Sequence, residues 1–138
     1  HLSHAHKDHY EYTELFSDWS QRHIAYICNV GTFGVNNLII TKRGCAGRIG
    51  SLIVSAEIKP TNTIGIEYCL AKRGKDCYKC IKNCPPQVLK EKEFDRVGCM
   101  DYLIKQRKYQ ESFYRLKEGT QTCGKCETNI PCELEIPK

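Results

Sequence analysis

The feature that most constrains this chain is a short run of cysteines near its middle. Residues 77–85 read CYKCIKNCP, so that Cys77, Cys80 and Cys84 lie three and four positions apart and Pro85 follows. Spacings this short hold several sulfur atoms on one tightly turning loop, with backbone N–H groups directed inward. A chain that carries such a loop folds around whatever the sulfurs bind as much as around apolar side chains.

The remaining cysteines extend this motif. The sequence has 10 cysteines among 138 residues, several times ordinary usage. CYKCIKNCP matches the last three cysteines of the bacterial CxxCxxCxxxCP run, and Cys69 is the upstream candidate for the displaced first cysteine. The segment between them, LAKRGKD, must then loop out. A second group, which includes the CxxC of CGKC, follows at Cys99, Cys123, Cys126 and Cys132.

Eight cysteine sulfurs in two interleaved sets are what two [4Fe-4S] clusters require. Our hypothesis assigns four cysteines to each cluster. The first set is Cys69, Cys77, Cys80 and Cys132, and the second is Cys84, Cys99, Cys123 and Cys126. Cys28 and Cys45 are left over, and Cys28 is expected to be a small core residue at the end of a helix.

Two other interpretations of the cysteines remain open. The paired CxxC units at Cys77/Cys80 and Cys123/Cys126 are also typical of a structural zinc site, which would make the chain a zinc-stabilised binding module for RNA or protein. A zinc site would leave the other four cysteines of the two groups without a role. A disulfide framework explains neither the CxxCxxxCP run nor the N-terminal part of the chain.

Composition favours thiolate-bound metal over disulfides. No apolar stretch is long enough to span a membrane, and the first thirty residues lack the apolar run of a signal peptide. We therefore expect a cytoplasmic chain without a membrane partner, in a reducing compartment where disulfides are rare. The formal net charge is +5. The basic residues suit either solvated faces or a surface for an acidic redox partner or nucleic acid. They form two local groups, which are Lys72, Arg73, Lys75, Lys79 and Lys82, and Lys105, Arg107 and Lys108.

The periodicity of the chain predicts an α+β fold in two parts. Residues 17–31 are predicted to form a helix that Asp18 caps, with Gln21 in a capping box and Gly31 at its end. Two β-rich runs, residues 38–41 and 49–58, are predicted to pair. We place a domain boundary near residue 64, which gives an α+β part at 1–64 and a bacterial ferredoxin-like double-cluster domain at 65–138. A further helix is expected at 98–114.

Residues 18–54, DWSQRHIAYICNVGTFGVNNLIITKRGCAGRIGSLIV, followed by the eight cysteines, resemble the C-terminal portion of epoxyqueuosine reductase-like iron-sulfur proteins, relatives of reductive dehalogenases. The resemblance covers about residues 18–132. In that family a cobalamin is reduced by the adjacent clusters and then acts on a tRNA base or a small organohalide. The resemblance implies that Thr32, Phe33, Gly34 and Asn36 line the corrinoid, with glycines that let the backbone approach it closely. The alternative is that these glycines only build a turn.

A different motif stands at the start of the chain. Residues 4–9 read HAHKDH, which fits the HxHxDH pattern of metallo-β-lactamase-type hydrolases. Those enzymes place it after an apolar strand and add distant ligands, whereas His23 is the only histidine that follows the motif here. We therefore expect an electron-transfer protein, or the electron-transfer part of an oxidoreductase, with a redox partner protein or corrinoid beside it. The sequence predicts no catalytic residue.

Overall fold

The computed structural model describes residues 10–11, 16–62, 65–114 and 123–138. These residues form a small mixed structure of helices and two-stranded antiparallel sheets, which agrees with the predicted mixture of helix and strand. The elements in chain order are β1 (Tyr10–Glu11), β2 (Phe16–Ser17), α1 (Gln21–Ile27), β3 (Gly31–Phe33), β4 (Ile39–Thr41), a 3-10 helix (Ala71–Arg73), α2 (Lys79–Lys82) and α3 (Arg96–Tyr114).

Helix α1 is shorter than the predicted 17–31. Its N-cap is Ser20, whose backbone is extended, so Asp18 lies before the helix and the predicted capping box is wrong. The helix gives way at Cys28 and Asn29, and the positive φ of 57° at Asn29 turns the chain before Gly31 is reached. Cys28 is exposed, which corrects the expectation that it packs in the core.

Strands β3 and β4 form a local hairpin. Gly31, Thr32 and Phe33 pair with Thr41, Ile40 and Ile39 in antiparallel register. An added Cβ at Gly31 would overlap the backbone of Ile40, so the close approach of the strands requires glycine there. The segment predicted as a glycine turn is therefore largely a strand.

The second predicted β run, residues 49–58, is not a strand within the part of the chain that the structure describes. Leu52 is 73% exposed and Ile53 is 85% exposed. The prediction failed because β4 pairs with a segment only six residues before it, and closing so short a loop costs less entropy than recruiting a later run. Helix α3, in contrast, covers the predicted 98–114 and begins two residues earlier at Arg96.

One hydrophobic core joins the two halves of the chain. Ile40, which is fully buried, and Cys45 pack with Tyr68, Leu89 and Ile130. The other three buried members of this cluster are Cys69, Cys80 and Cys84. Half of the eight buried core residues are thus cysteines, so a small core of aliphatic and aromatic side chains is completed by sulfur. The proposed division at residue 64 stays a prediction, because residues 63–64 lie outside the described part.

Among the residues that the structure describes, no helix has the length and apolar character needed to cross a membrane.

Candidate metal centre

Three cysteines from the stretch 69–80 and a fourth from the C-terminal segment line one small pocket. They are Cys69, Cys77, Cys80 and Cys132, the members of the first predicted set. The rest of the wall is mainly apolar and comprises Gly34, Val35, Asn36, Leu70, Ile130, Pro131 and Pro137. The structure therefore brings together thiols that are separated by up to 63 residues (132 − 69) in the sequence.

The segment between Cys69 and Cys77 loops out as expected. Ala71–Arg73 form a 3-10 helix that ends at Gly74, whose φ of 78° lies in the left-handed region. The N–H of Lys75 then donates to the carbonyl of Leu70 at 3.0 Å, which closes the loop. This turn returns the chain so that Cys69 and Cys77 face the same pocket.

Burial and neighbouring sulfurs raise the pKa of one thiol in this group. Cys80 lies in α2, and burial raises the pKa of its thiol to about 11, with the charges of Cys69 and Cys77 acting in the same direction. Burial therefore favours the neutral form of the Cys80 thiol in the folded chain. A bound metal reverses that preference, because its positive charge stabilises thiolates.

A fifth cysteine, Cys45, lies beside this group. Its Sγ is 3.9 Å from the Sγ of Cys132, and the side-chain Nδ2 of Asn36 is 3.9 Å from Cys45 Sγ on another side. The contact between the two thiols lowers the pKa of Cys45 and raises the pKa of Cys132. The ionisation of one thiol therefore affects that of the other. Cys45 has no predicted role, because its spacing from the other cysteines carries no signal for this position.

The second predicted set also comes together. Cys84 follows α2, Cys99 lies in the first turn of α3, and Cys123 and Cys126 flank a turn at Gly124. Burial raises the pKa of Cys99, with added repulsion from Cys84 and then Cys123. Burial likewise raises the pKa of Cys126 to about 12, with further contributions from Glu127, Cys123 and Cys99. Cys99 therefore lies close enough to Cys84, Cys123 and Cys126 for charges on these thiols to interact.

The beginning of α3 fixes Cys99. The Asp95 carboxylate accepts a hydrogen bond from the Gly98 N–H at 2.8 Å, and the Asp95 carbonyl accepts one from the Cys99 N–H at 3.1 Å. A carboxylate at a helix N-terminus satisfies amide groups that have no partner within the helix. The position of Cys99 is therefore determined by the helix cap.

The residues predicted to line a corrinoid connect the hairpin to the cysteine region. The Thr32 hydroxyl accepts a hydrogen bond from the Tyr68 N–H at 2.9 Å, and Gly34 lines the pocket of the first cysteine group. Asn36 is buried, and its Nδ2 donates to the carbonyl of Cys126 at 2.9 Å. The side chains of Thr32 and Asn36 thus have protein partners, and a role toward a corrinoid stays a prediction.

Phe33, the fourth of these residues, packs on α1. Its ring centroid is 5.1 Å from that of His23 and 5.5 Å from that of Tyr26, both in tilted geometry. The His23 Nδ1 is also 2.8 Å from the Ser20 hydroxyl. His23 is therefore engaged locally, and the HAHKDH motif lies outside the described residues.

The donor set suits an iron-sulfur cluster. Within the described ranges, no three His, Cys, Asp or Glu side chains converge closely enough to hold a single metal ion. In a cubane each thiolate binds a different iron atom, so the four sulfurs stand farther apart than ligands of one ion. The mainly apolar wall around the first four thiols, and the partial burial of Cys99 and Cys126 in the second set, are compatible with such ligands.

Five basic residues surround the loop that carries the first group. Each of them has an exposed side chain. They are Lys72, Arg73, Lys75, Lys79 and Lys82. Arg73 also donates to the backbone carbonyl of Pro137, which ties the loop to the C-terminal segment. The cations therefore lie near the first cysteine group but in contact with solvent, where salt screens their charge.

Comparison with known proteins found no matching family model, no similar curated protein and no similar solved structure.

Proposed function

We propose that this chain is an iron-sulfur electron-transfer protein, or the electron-transfer module of an oxidoreductase, with a bacterial ferredoxin-like double-cluster domain. One [4Fe-4S] cluster would be held by Cys69, Cys77, Cys80 and Cys132. The other would be held by Cys84, Cys99, Cys123 and Cys126. The observation that carries the proposal is the shared pocket of the first four cysteines, in which Cys132 joins three thiols of the stretch 69–80, because a cluster of this kind needs four convergent thiolates.

When bound, such clusters supply one-electron transfer at potentials set by their surroundings. The residues of the chain contribute the surroundings. Leu89 and Ile130, at 2% and 7% exposure, belong to the same buried cluster as the cysteines and limit the access of water. Lys79 and Lys82 on α2 flank Cys80 and offer positive charge toward an electron-rich site. The cations would favour the reduced state, whereas the exclusion of water would disfavour it, because reduction adds negative charge to the cluster.

The resemblance to epoxyqueuosine reductase-like proteins extends the proposal to a corrinoid-linked reductase in the cytoplasm. Thr32, Phe33, Gly34 and Asn36 would face the corrinoid, and the substrate would be a tRNA base or a small molecule. Gly34 and Asn36 support this extension, because they line the pocket of the first cysteine group and so bring the hairpin next to it. A change in the visible spectrum on adding cobalamin to the reduced protein would test it, and Asn36→Ala should weaken that change.

Metal and sulfide analysis of anaerobically purified protein tests the central proposal. We expect about eight iron and about eight labile sulfide per chain, with brown colour that bleaches on reduction. Cys80→Ala should remove about half of the iron, and Cys126→Ala should remove the other half. Cys28→Ala is the matched control, because Cys28 is exposed and belongs to neither group. One or two zinc ions without sulfide would instead establish a zinc-stabilised binding module.

A further inference from the structure

Cys45 is a buried cysteine that the two predicted groups do not use. Its side chain is 5% exposed, and its sulfur lies 3.9 Å from the sulfur of Cys132. Cys132 in turn lines the pocket with three other cysteines of the first group, whereas Cys45 does not. A fifth thiol therefore contacts one member of a four-thiol group from outside the pocket.

The backbone fixes this contact. The Cys45 N–H donates to the Cys132 carbonyl at 2.8 Å, and the Ala46 N–H donates to the Glu133 carbonyl at 3.0 Å. Gly44, with a φ of 78°, turns the chain immediately before Cys45 and lies against the backbone of Glu133. Two consecutive hydrogen bonds hold the two backbone segments side by side, which leaves only the short cysteine side chains to set the separation of the sulfurs.

The direction of the sulfur–sulfur hydrogen bond follows from metal binding. A cysteine that ligates iron does so as a thiolate and has no proton to donate. If Cys132 is the ligand, the remaining proton resides on Cys45, whose S–H becomes the donor. The amide Nδ2 of Asn36 approaches the same Cys45 sulfur at 3.9 Å and favours an S–H that is directed away from it.

We propose that Cys45 is a positioning residue for the first cluster, which donates its S–H to the Cys132 thiolate and thereby raises the reduction potential of that cluster. This inference rests on the proposed function. Reduction adds negative charge that spreads onto the ligand sulfurs, so a donor at one sulfur stabilises the reduced state more than the oxidised state. Hydrogen bonds to the sulfurs are among the factors that set cluster potentials.

Two substitutions of Cys45 distinguish the effect of the hydrogen-bond donor from the effect of side-chain volume. Cys45→Ala removes the S–H, and Cys45→Ser keeps an O–H donor at the same position. Cys28→Ser is the control, because Cys28 is exposed and lies outside both groups. Iron content and redox titrations followed by electron paramagnetic resonance would be measured for the anaerobically purified full chain and each variant.

We expect Cys45→Ala to keep the iron content of the wild type while one of the two midpoint potentials becomes more negative. Cys45→Ser should return that potential toward the wild-type value, and Cys28→Ser should change neither. In the wild type, electron-nuclear double resonance of the reduced cluster should show a proton coupling that disappears in D₂O and is absent in Cys45→Ala. The loss of the coupling in D₂O is observed in the wild type alone, and the comparison with Cys45→Ala assigns the coupling to Cys45.

Three results would overturn the inference. Unchanged potentials in Cys45→Ala would show that the contact has no effect. Loss of about half of the iron in Cys45→Ala, with retention in Cys132→Ala, would make Cys45 the ligand. Absence of an exchangeable proton coupling that depends on Cys45 would show that Cys45 does not donate a hydrogen bond to the cluster ligand. A wild-type protein without iron and sulfide would refute the proposed function itself, whereas the first three results leave that function intact.

Discussion

Replacing Gly44 with alanine should separate the segment of Cys45 from the segment of Cys132. Gly44 has a φ of 78°, and an added Cβ would overlap the backbone carbonyl of Glu133 and the N–H of Leu134. Because the overlap is with backbone atoms, no side-chain rotation relieves it. The two segments must move apart.

The cost of this substitution has two parts. Alanine in the left-handed region costs about 1–2 kcal/mol. Separation of the segments weakens two backbone hydrogen bonds, Cys45 N–H to Cys132 and Ala46 N–H to Glu133, each with a net contribution of about 1 kcal/mol. The total is about 3–4 kcal/mol, which for a domain of this size lowers the melting temperature by roughly 10 °C.

The assay compares Gly44→Ala with Gly47→Ala. Gly47 has no atom within 4 Å of an added Cβ, so its substitution should change stability by less than about 0.5 kcal/mol. Melting temperatures would be recorded by circular dichroism at one scan rate for the proteins as isolated. Iron release to a chelator should also be faster in Gly44→Ala, because Cys132 moves with its segment. Equal melting temperatures for the two variants would refute the reasoning.

Three further predictions follow from the structure. Ile40→Ala should cost about 2–5 kcal/mol in the free energy of unfolding, because Ile40 is fully buried, whereas Ile53→Ala at an exposed position should be nearly neutral; similar melting curves for both would contradict this. Changing Lys79 and Lys82 together to Glu should make a midpoint potential more negative, and the change should be larger at low salt than at high salt. A midpoint potential that does not fall would contradict this prediction. The metal-free folded chain should lose stability as the pH rises from about 9 toward 11. The reason is that folding raises the pKa of Cys80 from 9.0 to about 11, so the folded state binds more protons than the unfolded state in that window. A denaturation midpoint that does not depend on pH there would refute this.

Local sequence patterns predicted the parts of the structure that depend on neighbours in the chain. Helix α3 and strand β4 fall where periodicity and β-branched residues put them. The close spacing of Cys77 and Cys80 ensured that both thiols belong to one loop, and both line one pocket. Their assignment to a cluster stays a prediction that metal analysis must test.

The long-range contact between Cys45 and Cys132 was not predictable from the sequence. Cys45 and Cys132 are 87 residues apart, and what joins them is a pair of backbone hydrogen bonds next to a glycine turn. Neither feature leaves a side-chain pattern that can be read along the chain. The strand prediction for residues 49–58 failed for a related reason. A strand pattern indicates that a segment can pair, but it does not identify the segment with which it pairs.

The protonation of the buried cysteines connects the fold to cluster assembly. Burial raises the pKa values of Cys80, Cys99 and Cys126, so the metal-free fold is compatible with neutral thiols, which cost little to bury. If these cysteines hold the proposed clusters, ligation requires thiolates, so assembly would release protons from these sites. A fold that stabilises neutral thiols avoids burying several uncompensated negative charges before iron arrives. The thiol groups can therefore be brought together in advance, and the charge is created only when iron is present to balance it.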